Sequence, residues 1–129
     1  MSKFVRNDAV IALTPNEDHT GKEGYAVTIS SGKAALVTSD TALGFGIILD
    51  GEPTTGLSSI AVADGAGGTV RVKLSATPGT VAVGTSLTVT TGAVFNAAVS
   101  NKACYARALE SGAANELIEC VLVRPFLAP

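Results

Sequence analysis

The strongest constraint on the fold is a series of short apolar runs that turn-forming residues separate. The clearest run is Thr69–Ala76, in which Val70, Val72 and Leu74 alternate with charged residues. Because successive side chains of a strand point to opposite faces, this spacing predicts a strand with one buried face. Similar runs follow at intervals of about 8–12 residues, which is typical of a β-sandwich or a small barrel.

No stretch keeps the helical period of about 3.6 residues over several turns, and only Ala97–Val99 and Ala113–Leu117 could each form one helical turn. The sequence therefore predicts an all-β fold, a compact antiparallel β-barrel or sandwich with an extended N-terminal arm and at most one or two short helical turns. We place the arm at residues 1–15 and a single β domain at residues 16–129. Strands are expected at Tyr25–Ser30, Gly32–Ser39, Gly44–Glu52, Ser59–Ala63 and Thr69–Ala76, within Thr77–Gly92, and at Val94–Asn101.

The composition argues against several classes of partner. Charged residues make up 16% of the chain, the net charge is −2, and no cluster of Lys and Arg could neutralise a run of phosphates, so no nucleic-acid partner is expected. No apolar stretch approaches the ~20 residues of a membrane span, and the N-terminus lacks the apolar core of a signal peptide. We therefore expect no membrane association and predict that the chain is made in the cytoplasm.

The segment Ala103–Val123 predicts a β-hairpin that turns at Gly112. One face of this hairpin is then wholly apolar and consists of Cys104, Ala106, Ala108, Ile118, Cys120 and Leu122. Tyr105 and Arg107 lie on the mixed face, with Glu119 as the diagonal neighbour of Arg107. This register places the two cysteines opposite each other, with Cβ atoms about 4.5–5.5 Å apart. A disulfide is geometrically conceivable, but a reduced, buried pair is expected in a cytoplasmic chain.

An internal duplication is also indicated. Gly46–Leu74 runs from an apolar strand with an acidic turn, through small residues, to an alternating strand. Ala106–Val123 does the same over a shorter connection. Two such units would form opposing walls of one core.

His19 is the only histidine, and it lies in the most charged stretch of the chain, Asn16–Gly24. A metal site would need three or four ligands, and only Glu17 and Asp18 stand directly beside the imidazole. The expected structure is a solvated surface loop. No metal or other cofactor is predicted.

Other residues with reactive groups are also assigned to structure. Asp64–Gly68 (DGAGG) lacks the spacing of a phosphate-binding loop and precedes a strand rather than a helix, so it predicts a flexible turn. No nucleophile motif surrounds any Ser or Cys. The carboxylates are expected to be hydrated at turns or on outer strand faces, namely Asp50, Glu52, Glu110, Glu116 and Glu119. We therefore propose no catalytic residue and do not expect an enzyme.

Four segments together resemble the small capsid decoration (cement) proteins of tailed bacteriophages: Phe4–Pro15 (FVRNDAVIALTP), Gly24–Asp40 (GYAVTISSGKAALVTSD), Val81–Phe95 (VAVGTSLTVTTGAVF) and Ala106–Pro125 (ARALESGAANELIECVLVRP). The resemblance is marked most clearly by the arm that ends in Leu-Thr-Pro and by the closing hairpin. Two features depart from that pattern. Asn115 stands where the hairpin usually has Gly, and the charged loop Asn16–Gly24 is absent from shorter relatives.

The resemblance implies a virion structural protein on the outer surface of the expanded capsid. Such proteins commonly form homotrimers that bridge neighbouring major capsid proteins, so self-association and a major capsid protein partner are expected. An extended arm could add a strand to a neighbouring sheet, with its main chain giving affinity and its apolar side chains filling pockets. The contact residues expected on this basis are Lys3, Phe4, Val5, Arg6, Val10 and Ile11.

Other functions remain open at the level of sequence. The chain could be another virion structural subunit that assembles by itself, such as a tail-tube protein. It could also be an Ig-like surface-binding module, although aromatic residues, which sugar-binding platforms use, make up only 5% of the chain. An enzyme or a carrier of small ligands is disfavoured by the scarcity of titratable groups.

Overall fold

The computed structural model describes residues 10–63 and 69–129, and it confirms the all-β prediction. Ten strands form two five-stranded sheets in which neighbouring strands are antiparallel. The strands are β1 (Val10–Leu13), β2 (Ala26–Ser30), β3 (Lys33–Leu36), β4 (Gly46–Asp50), β5 (Ser58–Val62), β6 (Val70–Lys73), β7 (Ser86–Val89), β8 (Phe95–Ala97), β9 (Ala103–Ala108) and β10 (Leu117–Leu127).

Neither of the two stretches that could have formed a helical turn is helical. Ala97 ends β8 and Leu117 begins β10, and no residue within 10–63 or 69–129 is helical. In both places sheet pairing fixes the backbone, because Ala97 is paired with Leu87 and Leu117 with Lys73. The described ranges also contain no helix that could cross a membrane.

The first sheet has the order β1-β5-β4-β2-β3 and curls until its two edges meet. On one side β1 pairs with β5, so that Ile11 lies opposite Ile60. Just beyond β1, Pro15 forms a parallel bridge to Ala34 of β3, and the Asn16 N–H donates to the Ala34 carbonyl oxygen at 2.8 Å. Residues 10–16 therefore hold both edges of the sheet together. The last part of the predicted arm belongs to the folded domain rather than to a free extension.

The second sheet repeats this arrangement with the order β6-β10-β9-β7-β8. The residue that follows β6, Leu74, forms a parallel bridge to Phe95 of β8. The next residue, Ser75, donates its N–H to the Phe95 carbonyl oxygen at 2.9 Å. Each of the five strands of the first sheet thus has a counterpart in the second, in the same order and with the same contact across the edges.

The register shows that the two sheets form an internal repeat. Gly46 pairs with Val62 in the first half, and the residues sixty positions later, Ala106 and Leu122, pair in the second. A loop contact is repeated as well. The Gly24 N–H donates to the Ile48 carbonyl oxygen at 2.8 Å, and the Gly84 N–H donates to the Ala108 carbonyl oxygen at 2.7 Å. Both glycines have a left-handed backbone, with φ of 86° and 90°. We refer to residues 10–62 as the first half and to residues 70–127 as the second half.

The predicted duplication is therefore present but has different boundaries. The alignment of Gly46–Gly51 with Ala106–Ser111 matches β4 with β9, which are equivalent strands. Its second part is wrong, because it matched β6 with β10, whereas β6 is the counterpart of β1 and the counterpart of β10 is β5. The alternating pattern of Val70–Leu74 resembles any half-buried strand, so it could not distinguish between these pairings.

Two apolar clusters form the core. The smaller lies inside the curl of the first sheet and contains the buried residues Val27, Ala34, Ile48 and Ile60. The larger joins the outer face of the first sheet to the inner face of the second and includes Ala26, Ile47, Ala61, Val72, Leu87, Phe95, Tyr105 and Ile118. Consecutive residues of β2, β4 and β5 therefore bury both faces of the first sheet, which accounts for their nearly continuous apolar runs.

Several hydrogen bonds link the outer face of the first half to the second half. The Ala26 N–H donates to the Ala93 carbonyl oxygen and the Ala103 N–H donates to the Asp40 carbonyl oxygen, both at 2.8 Å. The Tyr105 hydroxyl donates to the Ala42 carbonyl oxygen at 2.6 Å and accepts a hydrogen bond from the Gly44 N–H. Burial raises the pKa of Tyr105 to about 12, so this hydroxyl remains a donor at physiological pH.

Candidate functional site

The expected arm contacts fall into two groups. Lys3, Phe4, Val5 and Arg6 lie outside the described residues, so their contact role stays a prediction. Val10 and Ile11 lie in β1, where they are partly exposed and pair with Ala61 and Ile60. Ile11 also packs against the cluster inside the first sheet. These two side chains therefore contribute to the fold, and a contact with another subunit would use only their exposed parts.

The prediction of a solvated loop around the only histidine is wrong at His19 itself. Its flanking residues Glu17 and Asp18 are exposed, but the His19 side chain is 0% exposed. The backbone explains the inward position, because the His19 N–H donates to the Glu52 carbonyl oxygen at 3.1 Å. A Cβ at Gly51 would lie 2.0 Å from the His19 carbonyl oxygen, so only glycine permits this close packing of the loop on the turn after β4.

The His19 imidazole is buried without compensation among the described residues. Neither ring nitrogen has a hydrogen-bond partner there. Burial is the main cause that lowers the pKa of His19 below its ordinary value; Lys22 acts in the same direction, and Glu17 and Asp18 oppose it. Within 10–63 and 69–129 no group of three or more His, Cys, Asp and Glu side chains could hold a metal ion. The position of His19 is thus explained by packing.

The two cysteines are buried and free, as expected, but the predicted hairpin register is wrong. Cys120 lies opposite Ala108 and Cys104 lies opposite Phe126, so the thiols do not face each other. Burial raises the pKa of both thiols, that of Cys120 to about 12. Thiols held in this protonated state are poor nucleophiles and poor metal ligands.

The faces of the hairpin are confirmed except at Tyr105. The expected apolar face is buried throughout, from Cys104 to Leu122. Tyr105, expected on the mixed face, is also buried, and it is the bulged residue of β9 against β7, since the consecutive residues Leu87 and Thr88 pair with Ala106 and Cys104. Glu119 remains a diagonal neighbour of Arg107, which pairs with Val121, and it also lies opposite Arg71 of β6, with 4.0 Å between the Arg71 Nε and the Glu119 Oε1.

The carboxylates thought to be merely hydrated help to form turns. Glu116 Oε1 accepts the Ala113 N–H at 2.6 Å, and Glu110 Oε2 accepts the Glu119 N–H at 2.7 Å, so both side chains fix the connection between β9 and β10. Glu23 Oε2 accepts the Gly51 N–H at 3.1 Å in the same way. The turn predicted at Asp64–Gly68 lies outside the described residues.

A largely apolar hollow lies on the outer face of the second half. A hollow of about 410 Å³ is lined there by Ser86, Ala98, Val99, Ser100, Phe126, Ala128 and Pro129. Val99 and Phe126 are 42% and 43% exposed. The sequence did not predict this site, because Val94–Asn101 indicated only a strand and Phe126 lies beyond the predicted hairpin Ala103–Val123.

No protein-family model matches the chain, and a search of curated proteins finds no match either. The fold and its surfaces must therefore carry the functional inference.

Proposed function

We propose that the protein is a virion structural protein that decorates and stabilises the outside of a tailed-bacteriophage capsid by bridging major capsid proteins. The resemblance in the arm and in the closing hairpin supports this function.

One structural observation carries the proposal. The stretch expected to contact the capsid leads directly into β1, which is the edge strand of the first sheet. From this position, the preceding residues can extend away from the domain and add a strand to a sheet of a neighbouring subunit. Main-chain hydrogen bonds would give such a contact its affinity, and Phe4 and Val5 would fill pockets on the partner.

Homotrimerisation would strengthen this binding. A trimer would carry three arms, and once one arm is bound, binding of the other two becomes intramolecular. This can raise the overall affinity by ~10²–10⁴ over a single contact. The protein would then stabilise the shell through the summed free energy of many modest contacts, with no chemical step of its own.

The direct test is co-sedimentation of the purified protein with expanded tailed-phage capsids that lack their decoration protein. We expect binding and a higher temperature of capsid disruption. A variant lacking residues 2–9 should lose binding while keeping its fold, because the deletion ends before β1. Phe4→Ala should weaken binding about tenfold or more if Phe4 fills a pocket.

A matched control is Leu57→Ala, which removes an exposed aliphatic side chain from the loop between β4 and β5. This variant should bind as the unaltered chain does. Failure to bind capsids, or binding that gives no protection, would refute the proposal. Assembly of the isolated protein into tubes or shells would favour a different virion subunit, and binding on a glycan array would favour a surface-binding module.

A further inference from the structure

The internal repeat makes it possible to compare one surface in two settings. In the first half, Ala26 and Val37 lie on the outer face and are only 0% and 2% exposed. The second half covers them. It places the Ala93 carbonyl oxygen 2.8 Å from the Ala26 nitrogen, and it adds the contacts of Ala103 and Tyr105 described above.

The same positions in the second half are open. Val37 donates its N–H to the Ala26 carbonyl oxygen at 3.0 Å, and Ala98 donates its N–H to the Ser86 carbonyl oxygen at 2.9 Å. Ser86 and Ala98 are therefore the counterparts of Ala26 and Val37. Both line the hollow of about 410 Å³ on the outer face of the second half.

One further position supports a binding role for the hollow. It is the residue that follows Val37 in the first half and Ala98 in the second half. In the first half it is Thr38, which is exposed and polar. In the second half it is Val99, which is also exposed but apolar and lines the hollow. At this position the second half thus carries the more apolar side chain, whereas Ser86 is more polar than Ala26 and Ala98 is smaller than Val37.

We propose that this hollow docks the turn of a β-hairpin from a protein partner, a turn that presents a main-chain carbonyl oxygen and a small aliphatic side chain. The chain itself supplies the precedent for this occupant. Ala93 lies in the turn between β7 and β8, has φ of 66°, is fully buried, and offers its carbonyl oxygen to Ala26 of the first half. The hollow offers an equivalent backbone position at Ser86, with apolar walls at Val99 and Phe126.

This docking does not depend on the partner being a capsid subunit. The probe is a fluorescent, backbone-cyclised peptide that contains Thr88–Ala97 and so reproduces the chain's own hairpin. We expect it to bind the full-length protein with a Kd on the order of 0.1–1 mM, because one short turn buries little surface. In amide NMR spectra, the shifts should be concentrated at Ser86, Ala98–Ser100 and Phe126–Ala128.

Val99→Asp should weaken this binding at least about tenfold, because it places a carboxylate in the apolar wall. Leu57→Asp is the matched control and should bind the peptide as the unaltered chain does. Phe126→Asp provides a second variant of the hollow, and NMR spectra of each variant verify that the fold is kept. Shifts located elsewhere or no binding at millimolar peptide would overturn the inference. It would also be overturned if both hollow variants bound the peptide as tightly as the unaltered chain does.

The capsid assay separates this inference from the proposed function. Peptide binding that depends on Val99, without capsid binding, would support the docking site and refute capsid decoration. Capsid binding without peptide binding at the hollow would support capsid decoration and refute the docking site.

Discussion

His19 gives the stability of the fold a dependence on pH whose direction can be worked out from the structure. The imidazole is fully buried, and its ring nitrogens have no partners among the described residues. A charge there would lose its hydration, and this burial lowers the pKa of His19 from 6.5, although Glu17 and Asp18 act in the opposite direction. Below pH 6.5 the unfolded chain therefore binds a proton that the folded chain does not. The free energy of unfolding should fall as the pH decreases from 6.5 to the lowered pKa, with a slope below the ~1.4 kcal/mol per pH unit that one whole proton would give.

Urea unfolding at several pH values between 5 and 7.5 measures this effect. With an m-value of ~2 kcal/mol/M, the urea midpoint should fall by up to about 0.7 M per pH unit in this range. His19→Leu replaces the imidazole with an apolar side chain of similar size that cannot be protonated. It should therefore lose the His19 contribution to the slope, while carboxylate titrations affect both proteins equally.

The same variant tests the burial of the ring nitrogens. At pH 7 His19→Leu should be as stable as the unaltered chain or more stable by up to about 1–3 kcal/mol, because it removes buried polar atoms without partners. Equal pH slopes in the two proteins would refute the reasoning. A loss of more than about 2 kcal/mol in His19→Leu would also refute it, since it would mean that the imidazole makes stabilising hydrogen bonds.

Three further outcomes follow from other buried positions. Tyr105→Phe should lower the free energy of unfolding by about 1–3 kcal/mol in urea titrations, because two backbone groups of the first half lose their partner; an unchanged midpoint would contradict this. Cys104 and Cys120 should react with a thiol reagent only slowly at pH 8 in the folded protein and fully after unfolding, since burial raises both pKa values; fast reaction in the folded state would be the contrary result. Gly24→Ala and Gly84→Ala should each lose about 1 kcal/mol for the left-handed backbone, and only Gly24→Ala should lose several kcal/mol more, because its Cβ would lie 2.7 Å from a backbone nitrogen of β6; equal losses would contradict this contact between Gly24 and β6.

Strand positions could be predicted from the sequence because period-two alternation is a local signal. Val70–Lys73 was expected with its valines inside and its charges outside, and the structure has this arrangement. The register of the closing hairpin could not be predicted in the same way. Five small residues around Gly112 do not fix a turn, and the register is instead set by Glu110, Glu116 and a bulge near Phe126.

The burial of His19 could not be predicted for a different reason. Its neighbours in sequence are charged and exposed, and every local signal indicates a solvated loop. The side chain is buried because Glu52 and Gly51, more than thirty residues away in sequence, provide the backbone contacts that hold the loop. A contact of this kind is tertiary, and no periodicity in Asn16–Gly24 encodes it.

The two halves share strand order, much of their register and the loop contact of Gly24 and Gly84, yet their sequences follow different patterns. In the first half Ile47 and Ile48 are consecutive and both buried, whereas their counterparts are the exposed Arg107 and the buried Ala108. Since the backbone arrangement is the same, the difference must come from what lies against the outer face. The second half covers that face in the first half, whereas in the second half Ala98, Val99 and Arg107 are exposed. Positions that become polar between the halves therefore mark where intramolecular packing ends. Thr38 and its counterpart Val99 are both exposed, but only Val99 is apolar. Under the docking proposal, Val99 would contact the other protein.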